Sequence, residues 1–139
     1  MNNEKRWLQR FQNLENSYAV FLRRVKEYEE DNEREAFQLS LIQSFEIIVE
    51  LSWKTLKDYL ENEGFDSIYN GKQAIRVAFQ AEIIRNAETW MIALQQRNLT
   101  SHTYNAEVLV ESLEFIHNQF YPVLRDLHFK LNSLRDALQ

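Results

Sequence analysis

From Arg97 to Tyr104 the chain reads Arg-Asn-Leu-Thr-Ser-His-Thr-Tyr, which places an arginine, a histidine and a tyrosine within eight residues. A guanidinium presents a rigid fork of donors suited to phosphate oxygens. An imidazole both takes and gives a proton near neutrality. Together these groups suit attack by an RNA 2′-hydroxyl on its own neighbouring phosphate. His102 would move the protons and Arg97 would stabilise charge on the phosphorane-like transition state. Such a reaction calls for no metal and no cofactor. The plainer reading is a helix end followed by a capped, solvated loop, and spacing alone favours it.

Other residues offer less. Glu46, Glu50 and Lys54 recur every four residues, a ladder that on a helix is ordinarily a surface ion-pair row worth a few tenths of a kcal/mol per pair, by order of magnitude about 0.2–0.5. Glu50 also lies between two apolar faces, so a half-buried place near the site is its alternative, and with Asn98 it is a supporting candidate. His117 and His128 have no acids at ligand spacing, which argues against a metal site. Trp7, Trp53 and Trp90 read as core, and the Arg23, Arg24 and Lys26 cluster as a solvated face.

The bulk numbers narrow the classes. The 139 residues suit one domain spanning 1–139, large enough to bury roughly 68% of the surface its unfolded chain would expose. Apolar residues at 45% and charged residues at 27% are globular values. Two glycines and one proline leave few turns, favouring long helices over many short strands. With no cysteine, disulfides, thiolate metal sites and cysteine nucleophiles are excluded. A net charge of −5 argues against constitutive tight binding of duplex DNA, which needs a basic face. No run approaches the ~20 apolar residues of a membrane span, and no charged leader precedes an apolar stretch, so a cytoplasmic location is the expectation.

The elements that would position Arg97 and His102 follow from periodicity. Trp7, Phe11, Leu14, Tyr18, Phe21, Val25 and Tyr28 alternate spacings of four and three, predicting a helix over 4–29. Asn32 with Glu35 reads as an N-cap and capping-box acid for a second helix running to Gly64, a natural C′ residue. Its apolar arc, from Phe37 to Leu60, is wide enough to meet more than one neighbour, which also motivates a dimer. A shorter helix is expected over 72–84 with Ile75, Phe79 and Ile83 inward. Asn86 then caps a helix in which Trp90, Ala93, Leu94 and Arg97 share a face. Asn98 to His102 breaks the period. Leu109, Leu113, Ile116 and Phe120 resume it, and Leu124, Leu127, Leu131, Leu134 and Leu138 carry it past Pro122, as one kinked helix or two nearly collinear ones. The sum is an all-α, four-helix up-and-down bundle with one additional short helix.

Beyond spacing, the chain resembles a known family. Arg97-x4-His102-x-Tyr104 matches the signature of HEPN-domain toxins that pair with minimal nucleotidyltransferases. Further blocks resemble the branch of nucleotidyltransferase substrate-binding subunits: Arg6 to Phe11, Phe45-Glu46, Glu50 to Leu60, Ile75 to Phe79, and Trp90. The likeness covers nearly the whole chain in one order. It implies a bundle that dimerises, with Arg97 and His102 of both protomers facing a shared cleft for RNA or nucleotide. It also implies a separate nucleotidyltransferase as partner, which in the toxin branch attaches AMP to the motif tyrosine, here Tyr104. One departure is 80–86, Gln-Ala-Glu-Ile-Ile-Arg-Asn, where relatives are expected to have a more glycine-rich, acidic turn.

Two functions of different class therefore compete. One is a metal-independent endoribonuclease toxin with Arg97 and His102 catalytic. The other is a non-catalytic subunit that presents substrate to, or regulates, the nucleotidyltransferase. A purely structural helical adaptor is a third reading, and it predicts no effect of substituting either residue.

Overall fold

The computed structural model describes residues 2–100 and 105–138, and the side chains of all of these except 98–100. Six α-helices follow one another: α1 Asn3–Glu30, α2 Glu35–Asn62, α3 Gly71–Gln80, α4 Ala87–Thr100, α5 Ala106–Phe115 and α6 Tyr121–Asp136, with a π-helical turn, Ile116–Phe120, joining the last two. No strand occurs among the described residues. α1, α2, α4 and the continuous α5–π–α6 rod are the four arms of an up-and-down bundle, and α3 is the short addition.

Short connections force neighbouring arms to run antiparallel. Contacts along them confirm the directions. Arg10 of α1 meets Asp58 of α2 at 2.9 Å, and Trp7 meets Tyr59 edge-on at 5.1 Å between ring centroids. Glu15 reaches Arg135 while Glu29 reaches His117, so the C-terminal rod runs against α1. α2 is the central arm, touching α1, α3, α4 and α5, as its wide apolar arc requires. Phe120 joins all four arms: its ring lies 5.9 Å from Phe21 of α1, 4.9 Å from Phe45 of α2 and 5.4 Å from Trp90 of α4, each edge-to-face. That geometry suits aromatic quadrupoles and adds to the area each ring buries.

Several expectations need correcting. Asn32 does not cap α2. The N-cap position is Arg34, without a side-chain cap bond, and the Asn32 carbonyl instead accepts from Gln38 Nε2 at 2.8 Å. α3 stops at Gln80, not at 84, and it buries Ala74, Ile75 and Ala78, leaving Phe79 about half exposed at 49%. Ile83, expected on its inner face, lies past its end and is half-buried.

The ends of α2 and α3 explain both boundaries. Gly64 sits at φ +97°; its N–H donates to Glu61 O and the Phe65 N–H to Leu60 O, which is the Schellman arrangement. α3 closes in the same way, with Glu82 N–H donating to Phe79 O and Ile83 N–H to Ala78 O. There Glu82 holds φ +63°, the left-handed conformation that glycine adopts without steric cost. The chain departs from a glycine-rich turn at this place, and the turn forms regardless.

The rod past Pro122 is continuous. Tyr121 N–H donates to Ile116 O, five residues back, and the π turn ends just before the proline, which has no N–H to give.

Candidate functional site

Arg97 lies in the last turn of α4. Its face is set by Trp90, Ala93 and Leu94, all buried, which turn the same side of the helix towards α2. α4 runs on to Thr100. Asn98 therefore belongs to the helix, where the sequence pattern had placed the start of a polar break. The local apolar period fails at 98, but the hydrogen-bonded backbone continues. Asn105 then caps α5, its Oδ1 accepting from Glu107 N–H at 2.8 Å. His102 and Tyr104 lie outside the described residues, as does the side chain of Asn98.

Across from Arg97 stands Glu50 of α2. Arg97 Nη1 lies 2.8 Å from Glu50 Oε2, and the same oxygen accepts from Trp53 Nε1–H at 3.1 Å. Lys54 Nζ is 3.5 Å from Oε1. The side chains of Arg97 and Glu50 are 33% and 31% exposed, half-buried as the alternative reading of Glu50 required. A carboxylate bonded to a guanidinium and an indole N–H fixes the direction of both donors. Chemically this is an anchored cation at a helix end, a group of the kind that binds phosphate oxygens.

Beside this pair a groove of about 760 Å³ opens between α2, the start of α3 and α4. Trp53, Lys72, Arg76, Met91, Ile92 and Arg97 are among its walls. Trp53 is thus only partly buried, not core, whereas Trp7 and Trp90 are core at 1% exposure each. Gly71 makes the close approach of α3 possible. A Cβ there would stand 3.0 Å from Leu94 Cδ2 and 3.3 Å from Trp53 Cδ1.

A second polar cluster was not visible in the sequence. Glu15 Oε1 accepts from Arg135 Nη1 at 2.5 Å, and its Oε2 lies 3.3 Å from His128 Nε2. The hydrogen bond from Arg135, opposed by burial and helped by His128, holds the Glu15 carboxyl below its ordinary range. The partners are 120 and 113 residues from Glu15, so the only sequence signal was the seven-residue spacing of His128 and Arg135. His117 has a similar partner. Its ring nitrogens meet Glu29 Oε2 at 2.7 Å and Asn118 Oδ1 at 2.8 Å. Burial alone would lower its pKa, but those two bonds and the Glu29 charge outweigh burial and raise it. Neither histidine joins a third potential ligand, and no group of three His, Cys, Asp or Glu able to hold a metal occurs among the described residues. No helix among them is long and apolar enough to cross a membrane.

Fold and site together define an all-α four-helix bundle with an anchored arginine at the end of one arm, on a groove. Comparison with known proteins narrows this class. A family described as "Nucleotidyltransferase substrate binding protein like" matches residues 9–133. The chain is also 30% identical over 102 residues to "Probable ribonuclease HepT" of Haemophilus influenzae, an alignment covering 70% of this chain and 67% of that protein. The chain belongs to the HEPN family, in its branch of HepT-like nucleotidyltransferase substrate-binding proteins.

Proposed function

We propose that residues 1–139 act as one HEPN domain that is the toxin of a two-component pair, cutting RNA without a metal as a homodimer. Its partner is a minimal nucleotidyltransferase encoded nearby, and the reading puts both in the cytoplasm. The observation that carries it is the anchored guanidinium: Arg97 is held by Glu50 at 2.8 Å on the helix that leads into His102 and Tyr104. The relative named as a ribonuclease supports it.

In this mechanism His102 takes the proton of the 2′-hydroxyl as the O2′–P bond forms. The P–O5′ bond breaks, a proton is delivered to the 5′-oxygen, and a 2′,3′-cyclic phosphate remains on the upstream strand. Arg97 donates to the phosphate oxygens that gain charge, and Glu50 keeps its fork aimed. Tyr104, two residues beyond His102, is the AMP acceptor. An adenylyl group there adds bulk and negative charge beside Arg97 and blocks the RNA phosphate.

Purified chain incubated with RNA in EDTA should yield fragments ending in cyclic phosphate, and His102→Ala should yield none. Fragments ending in free 3′-hydroxyls, or cleavage lost on chelation, would reject the mechanism. Co-expression with the nucleotidyltransferase should add the mass of one or more adenylyl groups, absent in Tyr104→Phe.

A second reading has its own support in the family description, which names substrate binding rather than cleavage. Under it the same arginine holds a phosphate for the nucleotidyltransferase, and RNA survives incubation with the chain alone.

A further inference from the structure

The groove beside Arg97 has a composition that the anchored pair does not explain. Lys72 and Arg76 of α3 are both exposed, line the groove, and form no ion pair with any described residue. They stand one helical turn apart, about 6 Å along the axis. With Arg97, itself paired to Glu50, they put three cations on a wall whose lining residues include one acid, Glu88, in a chain of net charge −5. A local excess of cations against the overall sign marks where an anion is held.

The second feature is Trp53. Its indole is half-buried and kept in place by the N–H bond to Glu50 Oε2, the same oxygen that holds Arg97. Ring and guanidinium are therefore fixed relative to each other through one atom. Met91 and Ile92 add apolar surface along the same wall. A flat aromatic surface beside spaced cations is the combination that receives a base and its flanking phosphates. A base reaches such a ring only when it is unstacked, which selects a single strand over a duplex.

We propose that this groove is the track for the single-stranded RNA next to the phosphate being cut, with one base on Trp53 and neighbouring backbone phosphates on Lys72 and Arg76. The assignment rests on the proposed ribonuclease reading and adds to it the form of the substrate and the residues that hold the strand. Lys54, paired with Glu50 at 3.5 Å, lies 5.9 Å from the Trp53 ring centroid. Lys72, Arg76 and Trp53 act here in binding, so their loss should appear in KM rather than in kcat.

The test uses full-length chain carrying His102→Ala, so that the strand stays intact and binding is read apart from cleavage. Anisotropy of a labelled single-stranded oligoribonucleotide is measured across a salt series, against the matching duplex and AMP as competitors. Lys72→Ala with Arg76→Ala should lower the slope of log affinity against log salt by about 1.4, from ~0.7 per phosphate contact. Trp53→Ala should weaken binding about tenfold, and Trp53→Tyr should recover most of it because a ring is retained. Trp7 and Trp90 are buried, so strand-induced change in tryptophan emission should vanish in Trp53→Tyr. Circular dichroism checks that each variant is folded. Unchanged slope and affinity in the double variant would overturn the track, even if the wild type cleaves RNA. AMP competing as well as the strand would assign the groove to a free nucleotide instead and also overturn it. Binding that follows this pattern in a chain whose wild type never cleaves would keep the groove as a single-strand site while rejecting the ribonuclease reading.

Discussion

Glu15 of α1 and Glu50 of α2 are assembled from the same kinds of parts. Each carboxylate holds an arginine, each has a second basic side chain close by, and aromatic rings belong to both clusters. Around Glu15 every group is half-buried and taken up by its neighbours. Arg135 lies over the Phe11 ring at 4.8 Å and donates to Asn132 Oδ1, and His128 stacks on Tyr18 at 4.4 Å. Around Glu50 the arginine and indole border a groove of about 760 Å³ instead. The first cluster holds glutamate, arginine, histidine and tyrosine together, a richer inventory of reactive types than the second. What separates a structural clasp from a site is therefore the space beside it, because a substrate needs a surface that packed rings do not leave.

The largest contrast should come from exchanging the two arginines. Under the proposed ribonuclease mechanism, Arg97→Ala should lower kcat/KM for RNA by about 10²–10³ with little change in melting temperature, as expected for losing a donor to the transition state. Arg97→Lys should be nearly as damaging, since a point charge cannot reproduce the fork. Arg135→Ala should leave cleavage intact and cost about 1 kcal/mol of stability, the scale of a half-buried, packed ion pair. Equal loss of activity in both would erase the distinction.

Acid sharpens the same comparison. The folded Glu15 carboxyl titrates below its ordinary 4.5, so its stabilisation is complete above that value and drains away as pH falls through the lowered one. Denaturant melts of wild type and Glu15→Gln should differ at pH 7 and converge on acidification. A gap that is constant with pH would deny Glu15 its charged role.

His117 runs the other way. Its folded pKa is raised above 6.5, so the bond to Glu29 contributes fully below 6.5 and is lost as pH rises through the raised value. Proton NMR of the imidazole should show that shift, and Glu29→Gln should move the midpoint down. The effect on stability is small, because the His117 and Glu29 side chains are 29% and 52% exposed and solvent screens the pair.

The smallest expected change concerns the two helix ends. Gly64 and Glu82 close the same hydrogen-bond pattern at φ +97° and +63°, one with a side chain and one without. Glu82→Gly should stabilise the fold by about 0.5–1 kcal/mol by relieving the left-handed strain. Destabilisation in thermal melts would mean that the Glu82 side chain does something the turn alone does not reveal.

The heptad of α1 was readable because burial repeats with the helix: Trp7, Phe11, Leu14, Phe21 and Val25 are all within 2% of full burial, and so are Leu124, Leu127 and Leu131 of the last arm, whereas Leu138, expected to continue that stripe, lies past the end of α6 and is exposed. Phe79 misled for the same reason in reverse. α3 has only ten residues, too few turns for an apolar stripe to fix which side faces inward, and its small alanines make the contact. Arg97 was legible as a residue type in a motif. Its bond to Glu50 was half legible, since the ladder marked Glu50 but not its partner. Trp53 as a groove wall, and the whole Glu15 cluster, were not legible. Both depend on residues brought together by the topology of the arms, and local spacing carries no record of that.

The π turn at Ile116–Phe120 bears on how the chain tolerates changes of length. The buried apolar positions 113, 116 and 120 step by three then four, and 124, 127 and 131 follow at four, three and four, so two steps of four meet at Phe120. The wide turn absorbs that change of step. Removing one residue from an ordinary helical stretch rotates everything downstream by about 100°, which would carry Leu124, Leu127 and Leu131 off the core. Within 116–120 a deletion would instead tighten a π turn into an α turn and leave the leucines where they are. Pro122 would then fall inside a regular helix, against the carbonyl four residues before it, so the shortened rod should fold well only with Pro122→Ala. Of all the single-residue deletions in this arm, those at Asn118 and Gln119, the exposed positions of the π turn, are where a shorter chain can keep the same core.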